Sequence, residues 1–351
     1  MTTKNDHNAG LEPDVKAPDT RTLTEEVLPD GKDAEGMLSH TPALGPALLV
    51  LAFLNAVFTL VWIYLPEGVL PFSKTSLIGY SVITISRLFL TLLVPVIFFT
   101  YWYRLPDRRI LGTYPGVGAF LFSFLIGIPA SVILVAAHNL MTRFFVIKGI
   151  SFASPAFSFV TEDTSNESKI LMYGVVFLIP ILAQEIFFRG FLFSVWPRSQ
   201  GTLVKITLSA LLFALYMQYP EEFLLFFVLG LLLGYIRHST DNILCPILTQ
   251  ISMVVTYCQF SRFLPWLDRA QIRSAADLDK VSLYTAVAVL TINLFTFLPV
   301  LSNFRRISRD TDSYTNDPDS GDTVPMKGTV GWSFVISLIL LAVVWVILLG
   351  I

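Results

Sequence analysis

Nine long apolar runs separated by polar turns constrain this chain more than any single motif. They lie near residues 45–65, 79–102, 115–141, 169–188, 203–217, 221–236, 242–259, 282–302 and 330–351. A helix needs about 20 residues to cross the hydrocarbon core of a bilayer, and most of these runs reach that length. The fold expected is therefore all-α, a polytopic bundle of eight or nine transmembrane helices. The fifth and sixth runs are short and are joined by the tight Tyr219-Pro220 step, so the count is least secure there. Composition agrees: 54% of the 351 residues are hydrophobic and 14% charged, against about a quarter charged in a soluble domain. A net charge of −2 supplies no basic field to draw nucleic acid, and that partner class is excluded. The two cysteines, Cys245 and Cys258, sit in apolar sequence and point neither to a disulfide framework nor to a thiolate metal site.

Residues 1–43 contain no apolar run and carry four basic against nine acidic side chains. Such a tail buries too little apolar surface to offset its ordering entropy and reads as disordered. The apolar h-region of a signal peptide is absent from it. Residues 44–168 then hold the N-terminal transmembrane helices, and 169–259 a second set. Residues 260–281 mix aromatic and charged side chains in the manner of an interfacial loop. Residues 282–351 hold the last spans, broken by a polar linker at 303–328. Its run of aspartates invites a calcium loop. Counting from Asp317, however, the required glycine and glutamate are Asp322 and Gly328, and a solvated linker fits better.

Arg104, Arg108 and Arg109 follow the second span, Arg198 and Lys205 flank the start of the fifth, Arg237 follows the sixth, and Arg305, Arg306 and Arg309 follow the eighth. The positive-inside bias puts these loops and the N-terminus on the cytoplasmic side. The basic residues of the 260–281 loop run against that assignment.

Ionisable residues inside hydrocarbon cost about 2.5–3.5 kcal/mol each and mark places to look for function. The intramembrane candidates are Arg87, His138 and the pair Glu185 and Arg189. Spaced four apart, Glu185 and Arg189 share a helical face where carboxylate and guanidinium meet. A carboxylate so oriented can act as general base on water; equally it can be half of a structural ion pair, and spacing alone favours the latter. Arg87 needs a partner, and Glu185 or a lipid headgroup would serve. His138 reads as a packed polar group of the bundle and His238 as an interfacial loop residue.

The run Gln184-Glu185-Ile186-Phe187-Phe188-Arg189-Gly190, the helix carrying Phe213 and Met217, the glycine-marked stretch Gly230, Gly234 and Tyr235, and the run from Gln250 to Val254 follow in the order of a known pattern. Together they resemble the CPBP family, the CAAX prenyl endopeptidases and bacteriocin-processing intramembrane proteases, whose signature is EExxxR, FxxxH and HxxxN on successive helices. The resemblance covers residues 184–254, about one fifth of the chain. It implies a CPBP-like core and, in the family, two glutamates and two histidines that hold and activate a water beside a lipid-accessible cavity. Here Glu185, Arg189 and Phe213 keep the pattern, the first two as remnants of the catalytic set and Phe213 as a packing residue. Gln184, Met217, Gln250 and Val254 depart from it.

Glutamine and methionine lack the imidazole that ligates metal or shuttles a proton, and one carboxylate falls short of the usual three protein ligands of zinc. No metal or other cofactor is expected. His238 lies 12 residues before Gln250, about 18 Å along a helix, too far to take its place. The expectation is a catalytically impaired pseudoprotease that binds membrane lipid, a prenylated or transmembrane peptide, or a partner membrane protein. The alternatives are an active, divergent glutamic endopeptidase using Glu185 and, from a different class, a small-molecule carrier.

Overall fold

A computed structural model of the chain describes residues 44–66, 68–69, 77–149, 173–196, 201–219, 222–263, 280–312 and 332–350. The acidic tail 1–43 lies outside them, as do residues 264–279 of the interfacial loop and 313–328 of the polar linker.

Each apolar run is a helix. We number them α1 (Leu44–Tyr64), α2 (Ile78–Trp102), α4 (Gly116–Ile147), α5 (Tyr173–Val195), α6 (Thr202–Met217), α7 (Phe223–Thr240), α8 (Leu244–Phe263), α9 (Lys280–Asp312) and α10 (Trp332–Gly350). A short polar helix, α3 (Asp107–Leu111), lies between α2 and α4. Among the described residues six are long and apolar enough to cross a membrane: α1, α2, α4, α5, α7 and α9. The apolar parts of α6, α8 and α10 are shorter. Among the described residues no strand forms, and an isolated bridge joins Gly112 to Asn242. The chain is an all-α, multi-pass membrane protein. Its outer surface bears Phe53, Phe98 and Phe295, each more than half exposed, as expected where lipid rather than water is the solvent.

Several helices outrun the limits expected from hydropathy, α5 and α9 by the most. Helix α5 continues to Val195, seven residues past the expected end at 188, because Phe191, Leu192, Phe193 and Val195 are buried against the core. Glu185 and Arg189 consequently lie mid-helix rather than at its end. Helix α9 continues through the start of the polar linker to Asp312.

Lipid tails are as apolar as leucine, so packing in a membrane depends on close fit and interhelical hydrogen bonds. Helix α4 packs on α8 and α9, α6 on α7, and α1 on α10. Between α4 and α8, Thr249 Oγ1 donates to the Ser123 carbonyl and Ser131 Oγ to the Met253 carbonyl, both at 2.8 Å. Between α10 and α6, Trp345 Nε1 donates to the Leu215 carbonyl at 2.7 Å. The largest core cluster gathers Leu48 and Leu51 of α1, Leu92 of α2, Phe187, Phe188 and Phe191 of α5, and Phe213 and Tyr216 of α6.

The turn between α7 and α8 is clasped by the segment after α3. Thr113 N donates to the Asp241 carbonyl, Ile243 N to the Leu111 carbonyl, and Asn242 Nδ2 to the Thr113 carbonyl. Arg237 completes the clasp, its guanidinium bonding Asp241 at 2.6 Å and the Arg189 carbonyl at 3.0 Å. The basic end of α7 is thereby tied to the polypeptide that follows α2, and both are ends that the charge bias assigns to one side.

Candidate functional site

Helix α5 carries the first motif, and its ladder changes pitch there. The α-helical turn ends at Glu185 and a π-helical stretch, Ile186–Phe191, follows. Single π turns inside α-helices recur at functional sites. Glu185 and Arg189 are both fully buried. Arg189 Nη1 donates to Glu185 Oε1 at 3.0 Å, and Gln250 Nε2 of α8 donates to the same oxygen at 2.5 Å. Glu185 Oε2 is buried without a hydrogen-bond partner among the described residues.

Arg189 is held from three further sides. Its Nη2 donates to the Gly230 carbonyl at 3.3 Å, and its guanidinium carbon lies 4.4 Å from the Phe213 ring centroid and 5.9 Å from that of Phe188. The Gly230 contact exists because α6 and α7 touch there: a Cβ on Gly230 would fall 2.8 Å from Ala210 Cα. Glycine is required by that approach. The retained phenylalanine of the second motif thus forms one face of the arginine's socket.

Beside this buried pair lies a cavity of about 980 Å³, near the upper end of the roughly 300–1,000 Å³ typical of small-ligand sites. All four departed motif residues line it: Gln184, Met217, Gln250 and Val254. Phe213 does so too. Gln184 Nε2 donates to Met217 Sδ at 3.4 Å, a bond between two of the substituted places. Glu185 is absent from the lining, being covered by Gln250 and its own neighbours. The structure therefore brings all seven motif residues to one locus but divides them, with the neutral replacements facing the chamber and the ion pair behind its wall.

Residues 166–256 match a family model described as Rce1-like, type II CAAX prenyl endopeptidase. Over those residues the chain is similar to the CPBP core. Comparison with curated proteins and with solved structures finds no match. The CPBP match embraces α5 to α8 almost entire, the four helices that supply the motif residues.

Sequence reasoning missed part of the chamber. His138, expected as a packed polar group on a helix outside the motif set, lines it as well, with Nε2 3.5 Å from Glu222 Oε1. The two residues are 84 positions apart by their numbering, beyond any local spacing rule. His238, by contrast, is exposed in the last turn of α7, at the opposite end of that helix from Glu222. Arg87 also faces the chamber, but its partners are Asn55 Oδ1 at 3.3 Å and the Tyr216 carbonyl at 2.8 Å; Glu185, expected as one possible partner, is engaged by Arg189 and Gln250 instead.

The donor set does not suit a catalytic metal. Among the described residues no three or more His, Cys, Asp or Glu side chains converge. Of the family's ligand-type positions only Glu185 retains a carboxylate, with Oε1 occupied by two donors. Three protein ligands are the usual minimum for catalytic zinc.

Proposed function

We propose that this CAAX-protease-like membrane protein is catalytically impaired and uses its cavity for binding, holding a membrane lipid, a prenylated or transmembrane peptide, or a segment of a partner membrane protein. One observation carries the reading: the carboxylate that remains of the motif, Glu185, is fully buried behind Gln250 and bonded to Arg189. A general base must reach the water it deprotonates. The other departed motif places that line the chamber hold Gln184, Met217 and Val254, which neither titrate nor supply an imidazole.

The test is peptide cleavage by the purified full chain, using prenylated and unprenylated membrane peptides. No turnover is expected. Turnover that disappears in Glu185→Ala overturns the reading. Activity created by the triple change Gln184→Glu, Met217→His and Gln250→His would identify the scaffold as a silenced protease.

A second reading, a divergent endopeptidase, draws on His138 and Glu222. An imidazole 3.5 Å from a carboxylate in the cavity wall is an acid–base pair of the kind proton transfer uses. On that reading cleavage is lost in His138→Gln and Glu222→Gln, and Glu185→Ala acts only through stability.

We further assign the N-terminus and the ends of α2, α7 and α9 to the cytoplasmic side. This rests on Arg104, Arg108, Arg109, Arg237, Arg305 and Arg306 at those ends. The cavity then belongs to the half of the bundle nearer the opposite face, where α1 ends and α7 begins.

A further inference from the structure

Arg87 stands ten residues into α2 and faces the 980 Å³ cavity. Everything that holds it is neutral: Asn55 Oδ1, the Tyr216 carbonyl, and the Tyr216 ring, whose centroid lies 4.9 Å from the guanidinium carbon. Among the described residues no carboxylate lies within ion-pair distance of it, for Glu222 faces His138 and Glu185 faces Arg189. A guanidinium in the hydrocarbon layer is costly without a counter-charge.

Several other polar groups of the chamber are engaged within the protein. Gln184 bonds Met217, Gln250 bonds Glu185, Gln218 Nε2 bonds Thr59 at 3.0 Å, and His138 meets Glu222. The intervening wall is apolar, with Trp62, Leu88, Val135, Phe177 and Leu225 among its residues. An extended peptide would bring an amide donor and acceptor at every residue into this space, each needing a partner. A molecule with one charged head and a long apolar body would not.

We propose that the cavity holds an anionic single-chain amphiphile whose oxyanion head, a carboxylate or phosphate, is received by Arg87. The proposal deepens the reading of the cavity as a binding chamber and rests on it. Arg87 acts as the specificity-determining residue, through charge-assisted hydrogen bonds of the type arginine makes with both oxyanions. The apolar wall supplies affinity without regard to the head.

The experiment measures equilibrium binding of radiolabelled oleate, oleoyl lysophosphatidate and oleyl alcohol to the full chain in detergent. An apolar membrane peptide with an amidated C-terminus is measured alongside. Oleate or lysophosphatidate, or both, are expected to bind roughly tenfold tighter than the alcohol, and the ratio of the first two identifies the head. Arg87→Gln is expected to bring the acid-to-alcohol ratio near one, and Arg87→Lys to keep most of it. Equal binding of acid and alcohol by the native chain overturns the proposal. So does a preference that survives Arg87→Gln, or an amidated peptide that binds as tightly as oleate.

Should Arg87→Gln fail to fold, Leu134→Trp together with Val135→Trp narrows the chamber while keeping the arginine. This double variant is expected to weaken oleate binding, and unchanged binding overturns the proposal. None of these arms reads turnover. Peptide cleavage lost in Glu185→Ala would therefore overturn the pseudoprotease reading and leave the oleate result standing, and the converse holds.

Discussion

Gln250 Nε2 donates to Glu185 Oε1 across 65 residues of sequence. This bond joins the third motif to the first. In the family a histidine is expected where Gln250 stands; here an amide reaches the same neighbourhood, keeps the two helices tied and removes the titrating group. Replacement of the family's imidazole and retention of an interhelical tie thus share one side chain.

The Glu185–Arg189 pair should behave as a buried unit. Both side chains are fully buried, so removing one partner leaves an uncompensated charge, at a cost of about 3–5 kcal/mol. Glu185→Leu and Arg189→Met are each expected to lower thermal stability sharply in detergent. The double variant should recover a large part of the loss, because apolar groups replace both charges. A double-mutant cycle on melting or denaturant midpoints checks this; strictly additive effects would contradict it.

Gly230→Ala should pry α6 from α7. Its new methyl would meet Ala210 Cα at 2.8 Å and Ala210 Cβ at 2.9 Å, and overpacking of this kind costs about 1–3 kcal/mol. The shift also lengthens the Arg189 bond to the Gly230 carbonyl. Ala210→Gly removes one of the two clashing atoms and should rescue the variant in part. Paired melting curves of the single and double variants provide the measurement.

Much of this arrangement was legible in the sequence because its causes are local. Hydropathy located every apolar helix, since lipid selects for length and apolarity along contiguous residues. The four-residue spacing of Glu185 and Arg189 foretold their contact, and motif order brought Gln184, Phe213, Met217, Gln250 and Val254 to one chamber. What escaped is long-range. The extension of α5 to Val195 depends on core contacts made by Phe191 and Leu192. The approach of His138 to Glu222, and of Arg87 to Tyr216, depends on how α4 and α2 lie against α7 and α6. Buried Arg143, which bonds Asn139 at 2.8 Å and Ser282 at 2.6 Å, is a further example, since α4 runs past the hydropathic limit expected at 141.

The clasp on the α7–α8 turn should depend on Asn242. Its side chain donates to the Thr113 carbonyl and accepts from Leu244 N, both at 2.7 Å. Asn242→Ala deletes both bonds at a position that is itself buried. A loss of about 1–3 kcal/mol is expected, together with faster hydrogen exchange at the amides of Thr113 and Ile243. Exchange mass spectrometry in detergent distinguishes this local opening from global destabilisation, which would raise exchange along α4 and α8 as well.

Opposite ends of the bundle can be told apart by labelling. Tyr64, at the end of α1, and Leu111, in α3, are exposed, and α2 separates them by one crossing. With Cys245 and Cys258 replaced by Ala and Ser, single cysteines are introduced as Tyr64→Cys and Leu111→Cys and treated with a membrane-impermeant maleimide. In sealed vesicles oriented with the cytoplasmic face outward, Leu111→Cys is expected to react and Tyr64→Cys to react only after permeabilisation. The reverse pattern would invert the topology and put the chamber nearer the cytoplasm; equal reactivity of the two before permeabilisation would contradict the single crossing by α2.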